Sequence, residues 1–329
     1  MGYGEGPDGR VHGANSGGHD LVPPTWHVPV LLAETLAALN VHPSGSYVDC
    51  TLGTGGHAQA ILEKAQPDGR LLGIDADSTA LSIAAQRLDR FGDAAILVNG
   101  NFERLREIAM TAGWQSADGI LLDLGLSTLE LARRERGFSF QAEGPLDMRF
   151  DPHRQRLTAE QIVNDWSESQ IAEALFRYGE ERKSRQIARA IVVRRPIRST
   201  MELARIVEQA VGGRRGRTHP ATRTFQALRI VVNHELKALE TVLPQARDLL
   251  APGGRLVVIS YHSLEDRIVK NFLRLESGGC ICPPHLPVCV CGQTTRLRPV
   301  GKGAIMPSEA EIAVNPSSRS ARLRVAEKV

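Results

Sequence analysis

Two hydrophobic periods alternate along residues 28–126. Short apolar runs typical of buried strands lie at 46–50, 70–74, 94–99 and 119–124. Apolar residues recur at helical spacing over 29–39, 56–65, 78–91 and 102–112. Strands that alternate with helices in this way predict a parallel sheet with crossover helices. We therefore expect an α/β fold, Rossmann-like and doubly wound with a mostly parallel sheet.

The alternation stops after residue 128. No strand pattern follows up to residue 222, but Thr158, Ser167 and Ser199 each stand three residues before a Gln or Glu. That spacing is the capping box, a helix-start signal. Gly179 and Gly212 are expected helix stops. We predict a helical domain inserted over 129–222, which divides the α/β domain into 27–128 and 223–329.

The α/β pattern then resumes. A long helix is predicted over 220–239, followed by a helix, a Pro-Gly-Gly turn at 252–254 and a strand over 255–260. A helix over 264–275 and a last strand over 321–326 complete the pattern. Residues 1–26 are Gly-rich and polar, so we expect a disordered tail there.

The glycine loop "DCTLGTGGHAQAIL" (Asp49 to Leu62) lies between the first strand and its helix. It lacks the Gly-Lys-Ser/Thr ending of a nucleotide triphosphate loop but fits the loose Gly-x-Gly-x-x-Gly/Ala pattern. Asp75 ends the next strand, where a carboxylate can accept both hydroxyls of a ribose. Nicotinamide dinucleotides and S-adenosylmethionine both make this contact, so the loop and Asp75 leave both cofactors open.

Two further strand ends bear on that choice. Asp123 ends the fourth strand, at the edge where such sheets bind ligands, and can hold an ammonium or orient an amine. A nicotinamide has no need of this carboxylate. Phe102 follows the third strand and is either an adenine contact or a core residue at a helix start.

The distribution of charge along the chain indicates what kind of partner the protein binds. The chain has 329 residues and a net charge of +3, but 14 Lys/Arg face four Asp/Glu between Arg177 and Arg229. That local charge of +10 leaves −7 for the remainder. The asymmetry indicates either a polyanion-binding surface or solvated helix faces. With no apolar run near the ~20 residues of a membrane span and no signal peptide, we expect a cytoplasmic protein without a membrane partner.

Four of the five cysteines, Cys280, Cys282, Cys289 and Cys291, lie within twelve residues. Four thiolates so placed could form a structural zinc site. The Cys-x-Cys spacing is tighter than most zinc sites use, which leaves a reduced loop as the alternative. Zinc is therefore a candidate and not an established cofactor.

Several segments of the sequence resemble those of one known protein family. They are "HVPVLLAETL", "DCTLGTGGHAQAIL", "GIDAD", "LLDLGLS", "GFSFQAEGPLDMRFD", "ISYHSLEDRIVKNF" and "PSEAEIAVNPSSRSARLRVAEK". Together they span nearly all of the chain after the Gly-rich tail. With them the chain resembles the RsmH/MraW family of bacterial small-subunit ribosomal RNA (cytosine-N4) methyltransferases.

The resemblance implies S-adenosylmethionine-dependent N4-methylation of a decoding-centre cytosine of 16S rRNA, position 1402 in conventional rRNA numbering. The implied substrate is an assembled or late-assembly small ribosomal subunit. The implied cofactor-binding residues are Gly55, Gly56, His57, Asp75, Phe102 and Asp123. Glu130 stands where the family commonly has a cofactor-binding Gln and is a further expected cofactor contact. It can accept a hydrogen bond, for instance from an ammonium, but a carboxylate cannot donate the amide proton.

The catalytic residues stay open, with Asp123, His262 and Glu265 as candidates, and so does the oligomeric state, a homodimer included. Phe138, Phe140 and Tyr261 are candidates to stack on the target base. Two rival functions are an NAD-dependent oxidoreductase and a non-catalytic RNA-binding ribosome-assembly factor. A DNA cytosine-N4 methyltransferase is disfavoured, because "DLGLS" replaces the Asp/Ser-Pro-Pro-Tyr type of motif.

Overall fold

The computed structural model describes residues 29–213, 219–278 and 294–329. The predicted tail, the four clustered cysteines and residues 214–218 of the basic segment fall outside these ranges. The chain divides into two compact units. The first runs to Gly125 and resumes at Ala238 through Val329, and the second runs from Leu126 to Lys237.

Strands of the first unit form one sheet. They are β1 (Ser46–Asp49), β2 (Arg70–Asp75), β3 (Ala95–Asn99), β4 (Ala117–Asp123), β5 (Leu250–Ser260), β6 (Leu297–Pro299) and β7 (Arg322–Lys328). Their order is β3-β2-β1-β4-β5-β7-β6. The first five are parallel, whereas β7 is antiparallel to β5 and to β6. The predicted α/β class with a mostly parallel sheet is confirmed.

The described helices are α1 (Leu32–Ala38), α2 (Gly56–Ala65), α3 (Ser78–Leu88), α4 (Leu105–Thr111), α5 (Thr128–Ala132), α6 (Ala159–Asp165), α7 (Glu168–Gly179), α8 (Ser184–Val193), α9 (Thr200–Val211), α10 (Ala221–Asn233), α11 (Glu235–Leu249), α12 (Ser263–Glu276) and α13 (Glu309–Val314). Within the described ranges, none of them is long and apolar enough to cross a membrane.

Both faces of the sheet are buried. Successive strand residues point to opposite faces, so Tyr47 packs with α1, α2 and α3, whereas Val48 packs with α4, α11 and α12. Strands that are covered on both faces have continuous apolar sequences, which is why these strands could be predicted from the sequence.

The second unit has a hydrophobic core of its own, built mainly from α6 to α10. The capping boxes predicted at Thr158 and Ser167 are confirmed. Ser199 caps α9 as predicted, but the reciprocal bond differs, because Glu202 accepts from the backbone N–H of Arg198 at 2.8 Å. Gly212 ends α9 with a φ of 82°.

The predicted helix over 220–239 is wrong. It is broken at His234, which has a φ of 51°, into α10 and α11. Phe225, Leu228 and Val232 of α10 lie in the core of the helical unit. The compact helical unit of the structure runs to Lys237, whereas the sequence predicts its second boundary at residue 222. The Pro-Gly-Gly segment is also no free turn, because it lies within β5, where the pairing with β4 shifts register.

Gly73 on β2 sets the space available to the glycine loop. A Cβ at this position would lie 2.8 Å from Leu52 Cδ1 and 3.1 Å from Leu97 Cδ2. Leu52 belongs to the loop, is buried, and donates its backbone N–H to the carbonyl of Ile74 at 3.0 Å. The loop thus depends on the absence of a side chain at Gly73.

We expect Gly73→Ala to lower the free energy of unfolding by about 1–3 kcal/mol, the range for an overpacked core. Gly100→Ala is the control, because its Cβ would meet one atom, Ile108 Cδ1 at 3.1 Å, instead of three leucine methyl groups, and should cost under about 1 kcal/mol. Urea denaturation of both variants measures the difference. Equal losses would contradict the packing argument.

Candidate active site

Three carboxylates meet at the carboxyl edge of the sheet. Asp49, Asp75 and Asp123 each end one of the neighbouring parallel strands β1, β2 and β4. Parallel strands place their carboxyl ends at one edge, where open α/β sheets bind ligands. The register agrees, since Asp49 pairs with Gly73 on β2 and with Leu121 on β4, each two residues before the acid that ends its strand.

Asp75 holds the glycine loop against the next turn. Its Oδ2 accepts from the backbone N–H of Gly53 at 2.7 Å, and its Oδ1 accepts from that of Asp77 at 2.8 Å. Asp77 then caps α3 by accepting from Thr79. A carboxylate oxygen has two lone pairs, so each oxygen of Asp75 keeps acceptor capacity for a ligand hydroxyl.

Gly55 and Gly56 of the glycine loop are required to be glycine for different structural reasons. Gly55 is the N-terminal cap of α2 and has a φ of 79°, in the left-handed region that favours glycine. Gly56 has ordinary dihedral angles, but a Cβ there would lie 2.5 Å from Pro29 Cγ. The close packing against Pro29 therefore explains Gly56 without any ligand, whereas Gly55 brings the start of α2 to the carboxyl edge.

Thr51 links two of the carboxylates, and sequence reasoning missed it. Its Oγ1 accepts from the backbone N–H of Asp123 at 2.6 Å, and its own N–H donates to Asp49 Oδ1 at 3.1 Å. Asp49 is 1% exposed, and its Oδ2 has no hydrogen-bond partner among the described residues. The Asp-x-Thr spacing after a strand is the signal that points to such a turn.

The Asp123 side chain lies between an aromatic hydroxyl and an imidazole. Its Oδ1 accepts from the Tyr261 hydroxyl at 2.9 Å, and His57 Nε2 lies 3.4 Å from its Oδ2. His57 is buried, and neither ring nitrogen has a hydrogen-bond partner among the described residues. Burial and the neighbouring Asp123 raise the pKa of Tyr261 above its usual range, so the hydroxyl stays a donor.

The edge is electrostatically negative and partly desolvated. Burial raises the pKa of Asp49 to about 7, opposed by His57 and the Thr51 N–H and reinforced by Asp123 and Asp75. Burial likewise raises the pKa of Asp75 to about 6, against its bonds from Asp77 and Gly53. A bound cation would relieve this repulsion, whereas a pyrophosphate would increase it. The residues therefore fit the sulfonium and ammonium of S-adenosylmethionine better than a nicotinamide dinucleotide.

Phe102 is half-buried and begins a short 3₁₀ helix after Asn101, which caps it. Its ring packs against the core on the α4 side of the sheet. The core interpretation thus accounts for part of the ring. Contact of the remainder with an adenine stays a prediction.

Glu130 has a local structural role in the second unit. Its Oε2 accepts from the backbone N–H of Ser127 at 2.7 Å and from the Ser127 hydroxyl at 2.9 Å. Ser127 Oγ in turn accepts from the Glu130 N–H, which completes a capping box at α5. Gln170 accepts the same two bonds from Ser167 at the start of α7, so the capping box fits a Glu at this position but does not select it over the Gln of the family. The cofactor contact of Glu130 stays a prediction.

The candidates His262 and Glu265 form the capping box of α12. His262 Nδ1 accepts from the Glu265 N–H at 3.3 Å, and Glu265 Oε2 accepts from the N–H of Tyr261 at 2.8 Å. Nε2 of His262 lies 3.1 Å from Glu265 Oε1. The two side chains hold the turn that presents Tyr261 after β5, and a catalytic role for either stays a prediction.

The remaining candidates divide between the core and undescribed residues. Phe138 is buried in the helical core and stacks on Phe150 at 5.4 Å between ring centroids, so it presents no free face to a base. Phe140 packs against Phe225 at 4.9 Å. The candidate zinc ligands at 280–291 lie outside the described residues, and the zinc site stays a prediction.

Comparison with known proteins decides the assignment. The model of the MraW methylase family matches residues 24–329. The chain belongs to that family. It is therefore an S-adenosylmethionine-dependent methyltransferase, as the resemblance implied.

Individual relatives agree. The chain is 55% identical to the ribosomal RNA small subunit methyltransferase H of Dehalococcoides mccartyi, over 92% of this chain and 86% of that protein. It is 51% identical to the protein of the same name from Thermomicrobium roseum, over 93% and 94%. A solved rRNA methylase from Streptococcus thermophilus covers 92% of this chain and 99% of its own at 11% identity and a TM-score of 0.43. So distant a structural likeness carries no weight, and the fold class rests on the strand order.

The buried Asp49 predicts a pH-dependent stability. Its pKa near 7 in the folded state lies above the unfolded value near 4, so stability present at low pH is lost as pH rises toward 7. Asp49→Asn removes this titration. We expect the difference in unfolding free energy, variant minus wild type, to increase by about 2–3 kcal/mol from pH 5 to pH 8.

Denaturation of both proteins at the two pH values measures this gain. Asp68→Asn, at an exposed loop residue, serves as the control and should keep the same offset from the wild type at both pH values. A constant offset for Asp49→Asn as well would show that this carboxyl does not titrate in that window.

Proposed function

We propose that this methyltransferase transfers a methyl group from S-adenosylmethionine to the exocyclic N4 of a decoding-centre cytosine of 16S rRNA. The observation that carries the proposal is the identity of 50–55% over at least 92% of the chain to proteins named ribosomal RNA small subunit methyltransferase H. The substrate is an assembled or late-assembly small subunit, and the site of action is the cytoplasm. A homodimer stays a prediction.

The cofactor-binding residues follow from the carboxyl edge. Asp75 accepts the ribose hydroxyls, and the backbone of Gly55, Gly56 and His57 faces the amino-acid part of the donor. Phe102 contacts the adenine with its exposed portion. The bound sulfonium supplies an electrophilic methyl group, and its positive charge is favoured beside the three carboxylates.

Asp123 is the proposed catalytic residue. The N4 lone pair of cytosine is delocalised into the ring, so the amine must be positioned and must lose a proton during or after attack. The Tyr261 hydroxyl and the Thr51 hydroxyl fix Asp123 through Oδ1 and its backbone N–H. Its Oδ2 is then the oxygen that accepts the N4 proton. The reaction needs no covalent protein nucleophile, which agrees with Cys50 being buried.

The helical unit supplies a surface for the RNA backbone. Arg185 and Arg189 lie one turn apart on α8, and both are exposed without a hydrogen bond or ion pair to another described residue. Unpaired cations on one helix face are available to phosphates, and binding through them is weakened by salt. The target cytosine must leave its stack to reach the carboxyl edge.

The rivals are disfavoured on different grounds. An NAD-dependent oxidoreductase would place a pyrophosphate beside three carboxylates, and the chain belongs to a methylase family. A non-catalytic assembly factor would not require Thr51 and Tyr261 to hold Asp123. Methyl transfer measured on the RNA is the result that excludes the second rival.

Cofactor binding should weaken at low pH. Hydroxyls donate to an ionised carboxylate, and the pKa of Asp75 is raised to about 6. We expect the affinity for S-adenosylhomocysteine to fall about tenfold between pH 8 and pH 5. Titration calorimetry measures it.

Asp75→Asn should bind more weakly at pH 8 and lose most of this pH dependence, whereas the control Asp68→Asn should keep it. A variant that retains wild-type affinity would remove Asp75 from the ribose contact.

The function is tested on small ribosomal subunits from a strain that lacks this gene. After incubation with the enzyme and S-adenosylmethionine, mass spectrometry of the 16S rRNA should detect N4-methylcytidine at one position. Asp123→Asn should lower kcat by about 100-fold or more, the range for loss of a proton acceptor. Lys64→Gln, at the opposite end of α2 from the loop, is the control and should keep wild-type kcat. The proposal fails if the wild-type enzyme leaves the RNA unmodified.

A further inference from the structure

A cavity of about 390 Å³ opens in the first unit beside the start of α12. One wall is the first two turns of α12, and the other comes from residues 306–322 near the C-terminus. Tyr261 lines the cavity as well, and its hydroxyl is the one that bonds Asp123. The cavity, called here the α12 pocket, therefore adjoins the catalytic edge.

The α12 pocket is lined by cations. Arg267 and Lys270 come from α12, and Arg319 and Arg322 come from the C-terminal segment. Asp266 is the single acidic residue among the lining residues of the described chain. Four positive charges thus face one negative charge.

The charge of Asp266 is itself neutralised by two arginines. Arg324 on β7 donates to both of its oxygens, at 2.7 Å and 3.1 Å, and Arg322 donates at 3.4 Å. Burial raises the pKa of Asp266, but these bonds outweigh it and hold the pKa below its usual range. The carboxylate therefore stays ionised and is paired with Arg324 and Arg322.

The helix pattern separates this surface from the core. Ser263, Arg267 and Lys270 follow at helical spacing on one exposed face of α12, while Val269 and Leu273 pack in the core. Lys270 and Arg319 have no hydrogen bond or ion pair with another described residue. Fold stability does not explain these two cations.

We propose that the α12 pocket binds a backbone phosphate of the RNA strand next to the target cytosine. This inference rests on the proposed function, because it takes the substrate to be RNA. A phosphate suits a concave site with several cations and a serine hydroxyl, whereas an uncharged base would leave Lys270 and Arg319 uncompensated. The α12 pocket lies beside Tyr261 and Asp123. A phosphate bound there would therefore be one next to the target cytosine and would fix how that cytosine enters the active site.

The test is a double variant, Lys270→Gln with Arg319→Gln. Its Kd for small ribosomal subunits from the gene-deletion strain is measured at several salt concentrations. We expect Kd to rise roughly tenfold at low salt. The slope of log affinity against log salt should fall by roughly 0.7 for each phosphate that the variant no longer neutralises. KM for the subunits should rise with Kd.

Two controls separate charge from structure. The charge-conserving variant Lys270→Arg with Arg319→Lys should keep most of the affinity, and Lys64→Gln should leave both Kd and slope unchanged. Titration with S-adenosylhomocysteine should give the wild-type affinity for every variant, which shows that the fold and the cofactor site are intact.

The outcomes are distinguishable. An unchanged Kd and salt slope in the double variant would overturn the phosphate site while the proposed function stands. A wild-type enzyme that binds the subunits but transfers no methyl group would defeat the proposed function, and the salt slope would still decide the pocket. If wild-type enzyme does not bind the subunits at all, both proposals fail.

Discussion

The carboxyl edge of the parallel sheet is the constraint on which this molecule depends. Parallel strands that lie side by side end at the same edge, so Asp49, Asp75 and Asp123 are brought together whatever else the chain does. Burial raises the pKa of both Asp49 and Asp75, and the neighbouring Asp123 and Asp75 add to the rise at Asp49. Such a site is most stable when a cation enters it, and the methyl donor of this family carries a sulfonium and an ammonium.

The backbone around these acids is organised to hold them. Asp75 takes the N–H of Gly53, and Thr51 joins Asp49 to Asp123. Tyr261 reaches Asp123 because the capping box of His262 and Glu265 starts α12 directly after β5. His262 and Glu265 thus act on the geometry of the site through helix capping, and Tyr261 in turn positions Asp123, the proposed proton acceptor.

Charge separates the two ligands of the enzyme. The acidic edge favours the cationic donor, while the proposed binding surfaces for the polyanionic substrate are the exposed arginines on α8 and the cations of the α12 pocket. Each unit has its own hydrophobic core, so these surfaces are carried by independently packed structures. A net charge of only +3 conceals this division.

Sequence by itself determined the α/β class, the order of strands β1 to β5 along the chain, the helix starts at Thr158 and Ser167, and the acids that end the strands. These features are local: apolar runs mark strands covered on both faces, and caps depend on residues three apart. Tertiary structure decided what depends on distant residues. His234 breaks the predicted helix into α10 and α11, Pro29 explains Gly56, and Glu130 caps α5 with Ser127. The α12 pocket also depends on the tertiary structure, because residues 261–270 and 306–322 are apart in the chain and adjoin only after β5 and β7 pair.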